Sequence, residues 1–158
     1  MAKGNEIIVS ADPKGTFMEG IVSGTPKPGT CMQITAGTAA VGGRFTWEVY
    51  NTSADGEQRA VAVLLPDSDQ GQLATTAYVT GARCFLYFPL PGEELNMLMA
   101  DVSGTGDDHT IGEVLMIDDG TGKLVTTTGS PESEPFISLE ATTDPTADAL
   151  HWCMFTGY

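Results

Sequence analysis

From Phe45 onward, short runs rich in β-branched and aromatic residues alternate with clusters of Gly, Pro, Asp and Ser. The runs fall at 45–50, 59–65, 82–88, 94–100, 113–117, 123–128, 136–141 and 150–156. Short segments at even spacing, bounded by turn residues, predict an all-β fold, either a small β-barrel or a two-sheet β-sandwich. Between two of the runs lies Asp118-Asp119-Gly120-Thr121-Gly122. Its glycines accept the positive φ of a tight reversal, which predicts a hairpin. In the run 82–88, Cys84, Leu86 and Phe88 alternate with Phe85 and Tyr87, so both faces of that strand carry large apolar groups. A central strand, or one covered by a neighbouring subunit, has that pattern. No stretch sustains a 3.6-residue apolar period; the best helical segment, 72–79, is short, rich in Thr and closed by Gly81.

Residues 1–44 read differently. Pro13, Pro26, Pro28, Gly29, Gly42 and Gly43 interrupt the short apolar pieces Ile7-Ile8-Val9 and Phe17-Met18. The expectation is an extended N-terminal arm with one or two short strands over 1–44, and a barrel or sandwich body over 45–158. Charge shifts at the same place. Up to Arg44 there are four basic and three acidic residues, a net of +1; the remainder carries three basic and eighteen acidic, a net of −15. Arm and body are therefore expected to face different surroundings.

The total of −14 on 158 residues would oppose any approach to DNA or RNA, so nucleic acid is not an expected partner. The opening Met1-Ala2-Lys3-Gly4-Asn5-Glu6 lacks the apolar stretch of a secretion signal, and no later run has the length to span a bilayer. Synthesis in the cytosol without membrane attachment is the expectation. Cys31, Cys84 and Cys153 are odd in number and widely spaced, as suits reduced thiols packed in strands.

Candidate chemistry is sparse, and neither enzyme activity nor a cofactor is expected. Gly104-Thr105-Gly106 runs into Asp107-Asp108, whose charge would repel a phosphate. His109 and His151 are the only bases available to a serine triad. His151 and Cys153 share one strand face but make only half a metal site. Asp67-Ser68-Asp69-Gln70-Gly71 is rich in oxygen yet lacks the closing Glu of a calcium loop, and reads as a solvated turn. Glu93-Glu94, Asp107-Asp108 and Asp118-Asp119 are neighbours on extended chain, facing opposite ways, and are poor acid–base partners.

Three segments in series carry a resemblance: Arg59-Ala60-Val61-Ala62-Val63-Leu64-Leu65-Pro66-Asp67, then Ala77-Tyr78-Val79-Thr80-Gly81-Ala82-Arg83, then Tyr87-Phe88-Pro89-Leu90-Pro91-Gly92-Glu93-Glu94. It continues through Gly112-Glu113-Val114-Leu115, the hairpin to Lys123-Leu124, and Phe136-Ile137-Ser138-Leu139-Glu140-Ala141. In this order and spacing, residues 57–158 resemble head decoration, or cement, proteins of tailed bacteriophages. Gly112-Glu113 stands where the family has a Gly-Asp step, and residues up to Gly43 align poorly.

The resemblance implies a non-enzymatic β domain on the exterior of the virion, bound to the major capsid protein of the assembled head and often a homotrimer at threefold positions. Strand addition by Ile7, Ile8 and Val9 to a sheet edge is a docking mode consistent with it. Phe17 and Met18 either anchor in a neighbour's apolar pocket or pack on the chain's own core. Two other readings remain: a tail or baseplate component, and a glycan-binding module with Trp47, Trp152, Tyr78 or Tyr87 as stacking platforms.

Overall fold

The computed structural model describes residues 6–35, 42–51, 61–70, 73–100, 110–118, 120–126, 135–141 and 149–157. These form an all-β molecule of two parts. β1 (Thr16–Val22), β2 (Cys31–Ile34), β3 (Phe45–Val49), β4 (Ala62–Leu65) and β5 (Arg83–Phe88) close into a barrel in the order β1-β3-β2-β4-β5. β6 (Glu94–Leu98), β7 (Val114–Ile117), β8 (Leu124–Thr126), β9 (Phe136–Ser138) and β10 (Leu150–Phe155) make a second sheet in the order β6-β10-β9-β7-β8. Among the strand ladders of the described residues, only β1–β3 is parallel.

Strand alternation creates two cores from one chain. Val22, Met32, Trp47, Ala62, Leu64, Cys84 and Leu86 point into the barrel and fill it, together with Tyr78. A five-stranded barrel is narrow enough that side chains occupy its whole interior. The large Trp47 indole fits because Gly20 lies beside it; a Cβ at that glycine would stand 2.6 Å from Nε1. On the barrel's outer face Cys31, Val63 and Tyr87 meet Leu95, Met97, Met99, Leu115, Leu124, Phe136, Cys153 and Phe155 from the second sheet. β5 therefore buries Leu86 inward and Tyr87 outward, the double burial read from its sequence.

Among the described residues, strand edges are covered within the molecule. The barrel closes on itself through the β1–β5 ladder. The second sheet curls until Met99, just beyond β6, forms a parallel bridge with Leu124 of β8, and Ala100 N–H donates to the Leu124 carbonyl at 2.9 Å. The free side of β6 is taken by the N-terminal segment, as described below. Closed or covered edges of this kind leave little backbone for a foreign strand to pair with.

The β7–β8 hairpin forms where the glycines place it, with Leu115 opposite Thr126 and Ile117 opposite Leu124. It also docks on the barrel. Cys31 N–H donates to the Gly122 carbonyl at 2.7 Å, and Gly120 N–H to Tyr50 at 3.0 Å. Gly122 has φ +63° and lies so close to Thr30 that a Cβ would fall 2.8 Å from its methyl.

Two expectations change. β1 and β2 lie inside the 1–44 stretch, yet they supply two of the five barrel strands, so the barrel is built across the composition boundary at Arg44. The described part of 72–79 is not helical; a single 3-10 turn forms earlier, at Ser68–Gln70. Asp67 Oδ1 accepts the Asp69 N–H at 3.1 Å and thereby opens that turn.

Candidate functional site

The five docking residues named from sequence occupy three different environments. Ile7 is 2% exposed and belongs to the core shared by barrel and sheet. Ile8 forms an antiparallel bridge with Leu95. Asn96 N–H donates to the Ile7 carbonyl at 2.7 Å, and Val9 N–H to the Glu94 carbonyl at 3.0 Å. Strand addition by this segment is thus made to the chain's own β6. Phe17 and Met18, adjacent on β1, face opposite ways. Met18 packs on the barrel core. Phe17 points outward, 55% exposed, with its ring 4.8 Å from that of Tyr87.

Glu93 fastens the N-terminal segment down. Its carboxylate is 7% exposed and accepts four hydrogen bonds. Oε2 receives the Tyr87 hydroxyl at 2.6 Å and Leu90 N–H at 2.7 Å. Oε1 receives Lys14 N–H at 2.5 Å and Gly15 N–H at 3.3 Å. Burial alone would push this carboxyl up, but the donors from Tyr87, Leu90, Lys14 and Gly15 outweigh it and hold the group below its ordinary value. Tyr87 responds in the opposite sense: desolvation and the adjacent carboxylate push its hydroxyl up to about 12. One carboxylate so joins residues 14–15, β5 and the turn before β6.

His151 lies in a second polar cluster. Its Nε2 is 2.8 Å from Ser138 Oγ, and its Nδ1 is 3.5 Å from Glu140 Oε1. That is the order of a serine triad, but the cluster is closed in by the fold. Ser138 has one hydroxyl proton and donates it to the Glu140 carbonyl at 2.5 Å. Ser138 is fully buried and His151 2% exposed, so a substrate has no approach to either. The cluster ties β9 to β10, and Glu140 also accepts the Trp152 N–H at 2.9 Å.

Other sequence candidates have structural partners too. Cys153 shares the buried face of β10 with His151, and its thiol points to the Leu95 carbonyl at 3.6 Å. Among the described residues no group of three or more His, Cys, Asp or Glu is placed to hold a metal ion. Burial pushes all three thiols up, Cys84 to about 12. Asp67 is 1% exposed and meets Arg83 at 3.2 Å. Trp47, Tyr78 and Tyr87 are buried, and half-buried Trp152 donates its indole N–H to Glu94 at 3.2 Å. His109, Asp119 and the stretch 104–108 lie outside the described residues.

Among the described residues, several large apolar side chains stay open to a partner. Phe17, Leu90, Ile34 and Phe45 are between 41% and 55% exposed, while Leu73, Val79 and Ile111 are between 62% and 70% exposed. Sequence reasoning found Phe17 but missed Glu93, because two of its donors sit 78 and 79 residues away. The only local signal was an acidic residue directly after the turn Pro89-Leu90-Pro91-Gly92. Comparison with family models and with curated proteins finds no match for the chain.

Proposed function

We propose that this protein is a head decoration, or cement, protein of a tailed bacteriophage, which binds the outside of the assembled head and stabilises it. The observation that carries the reading is the serial order of the segments at 59–67, 77–94, 112–124 and 136–141. Supporting it, the described parts of those segments include β4, β5, β7 and β9 whole and the first residues of β6 and β8, rather than scattered loops.

The physical role asked of a cement protein is compatible with the molecule. Binding only the assembled state stabilises that state by mass action, about 2.7 kcal/mol at a free concentration 100 times Kd. A body with closed edges contributes side-chain surface and little ordering cost, since its backbone is already paired. On this reading Phe17, Leu90 and their exposed apolar neighbours supply contacts to the major capsid protein, and a homotrimer is the assembly to look for. The −14 charge keeps the outward surface solvated.

Co-sedimentation of the purified protein with assembled heads, and separately with unassembled capsid subunits, tests the proposal. Saturable binding to heads alone is expected. Binding to neither, or to tails in preference to heads, would overturn it.

A further inference from the structure

Residues 6–10 cover the edge of β6 without belonging to any named strand of the barrel or the second sheet. The hydrogen bonds that hold them there all fall on Glu94 and Asn96. Asn96 N–H donates to the Ile7 carbonyl at 2.7 Å, and its side-chain amide donates to the Glu6 carbonyl at 2.6 Å. Val9 and Ser10 N–H donate to the Glu94 carbonyl at 3.0 Å and 3.3 Å, and Glu94 N–H donates to Ser10 Oγ at 2.8 Å. Ile8 bridges Leu95, and buried Ile7 enters the shared core beside Gly29. None of these contacts uses residues 11–14.

The link to β1 is built differently. Ala11, Asp12, Pro13 and Lys14 are exposed, and the chain bends at Ala11 and Asp12. A residue before proline favours extended backbone, so straightening the link at Asp12 costs little. Straightened, residues 11–14 span about 13 Å at roughly 3.3 Å each, against about 4.8 Å between paired strands. The link is held folded back by the Glu93 carboxylate, which accepts the N–H groups of Lys14 and Gly15.

We propose that residues 6–10 are an exchangeable strap whose alternative seat is the β6 edge of a second copy of this chain. The structure itself defines the occupant that fits this edge. An identical strap from a neighbour makes the same hydrogen bonds, the same bridge and the same Ile7 contacts, so the two arrangements differ only in the link and in bringing two copies together. An unrelated strand would leave the space of Ile7 in the core unfilled. A short tether gives the chain's own strap an effective concentration on the order of millimolar. Exchange therefore competes where copies stand at comparable density, and a short link folded back at a proline favours it. Release of Lys14 and Gly15 from Glu93 is the step that opens the strap. The inference does not rest on the capsid reading.

The test is isotope-filtered NMR on the full chain. One copy labelled at its amide nitrogens and another labelled at its isoleucine methyl carbons are unfolded together, refolded and concentrated to about 1 mM, the effective concentration of the tether. Overhauser contacts from the Leu95 or Asn96 amide of one copy to the Ile7 or Ile8 methyls of the other are expected, with a particle heavier than the monomer by light scattering. Copies mixed after folding should develop the same contacts slowly, and roughly tenfold faster when both carry Glu93→Gln, which weakens the charged hydrogen bonds to Lys14 and Gly15. Tyr87→Phe, which removes another donor to Glu93, serves should that variant not fold. Three glycines inserted after Ala11 should reduce the exchanged fraction by roughly threefold, because a longer link is no longer held under strain. Absence of contacts between copies at about 1 mM, an oligomer whose contacts between copies leave out residues 6–10, or exchange no faster in the folded Glu93 or Tyr87 variant would overturn the proposal.

Discussion

Replacing Glu93 by Gln keeps the size of the side chain and removes its charge, while all four donors stay aimed at it. A carboxylate offers two acceptor oxygens to Tyr87, Leu90, Lys14 and Gly15; an amide offers one oxygen and turns an NH₂ toward the other pair. Two hydrogen bonds are lost and the remaining two lose their charge assistance. Hydrogen bonds to a charged group contribute about 1.5–3 kcal/mol each. Water can reach residues 14–15 once released, and the Tyr87 hydroxyl can rotate, so the net cost is nearer about 2–4 kcal/mol than the full sum. For a chain of this size that lowers Tm by roughly 4–16 °C, at about 2–4 °C per kcal/mol. Hydrogen exchange at Lys14 and Gly15 should accelerate beyond the change in global stability. Thermal unfolding followed by circular dichroism, with amide exchange on the same samples, checks both. A Tm within 1 °C of the parent and unchanged exchange at Lys14 and Gly15 would refute the reasoning.

The remaining expectations follow from the same contacts. Because the folded-state pKa of Glu93 lies below its ordinary value of 4.5, its contribution is present above about pH 4.5 and is lost as pH falls through the depressed value; acid titration of stability should therefore be shallower in Glu93→Gln than in the parent. Gly122→Ala puts a Cβ where φ is +63° and Thr30 is 2.8 Å away, and should cost about 2–3 kcal/mol in denaturant unfolding, by strain and overpacking together. Cys31, Cys84 and Cys153 are each fully buried and should react with a thiol reagent only at the rate of unfolding, in a single phase. Phe17→Ser removes a ring that is 55% exposed, and should change unfolding free energy by less than about 1 kcal/mol while weakening attachment to heads.

Much of the fold was legible because its signals are local. From Phe45 on, each strand lies within a run of alternating apolar residues, and glycines mark the hairpin at Gly120 and Gly122. One or two short strands were expected within 1–44, but the place of β1 and β2 in the barrel was not legible, for the opposite reason. Gly20 reads as a breaker in Thr16–Val22, yet it is there because Trp47, far along the chain, occupies the space a side chain would need. Phe17 and Met18 read as one apolar pair, but on a strand they must diverge, one to solvent and one to the core. Glu93 gathers donors across long sequence separations, so it leaves no spacing motif. Ser138, Glu140 and His151 also meet only in the fold, and there burial of Ser138 and His151 makes the cluster a tie between β9 and β10.

Deleting residues 1–44 would remove two barrel strands, so the docking contribution of that stretch is better probed by Phe17→Ser in an otherwise intact chain. The most direct test of the cement reading is the temperature at which DNA-filled heads lacking the protein release their DNA, followed by dye fluorescence as purified protein is added. The account expects that temperature to rise with protein concentration to a plateau at a fixed number of copies per head, and Phe17→Ser to require more protein for the same rise. A release temperature unchanged at saturating protein would contradict the account.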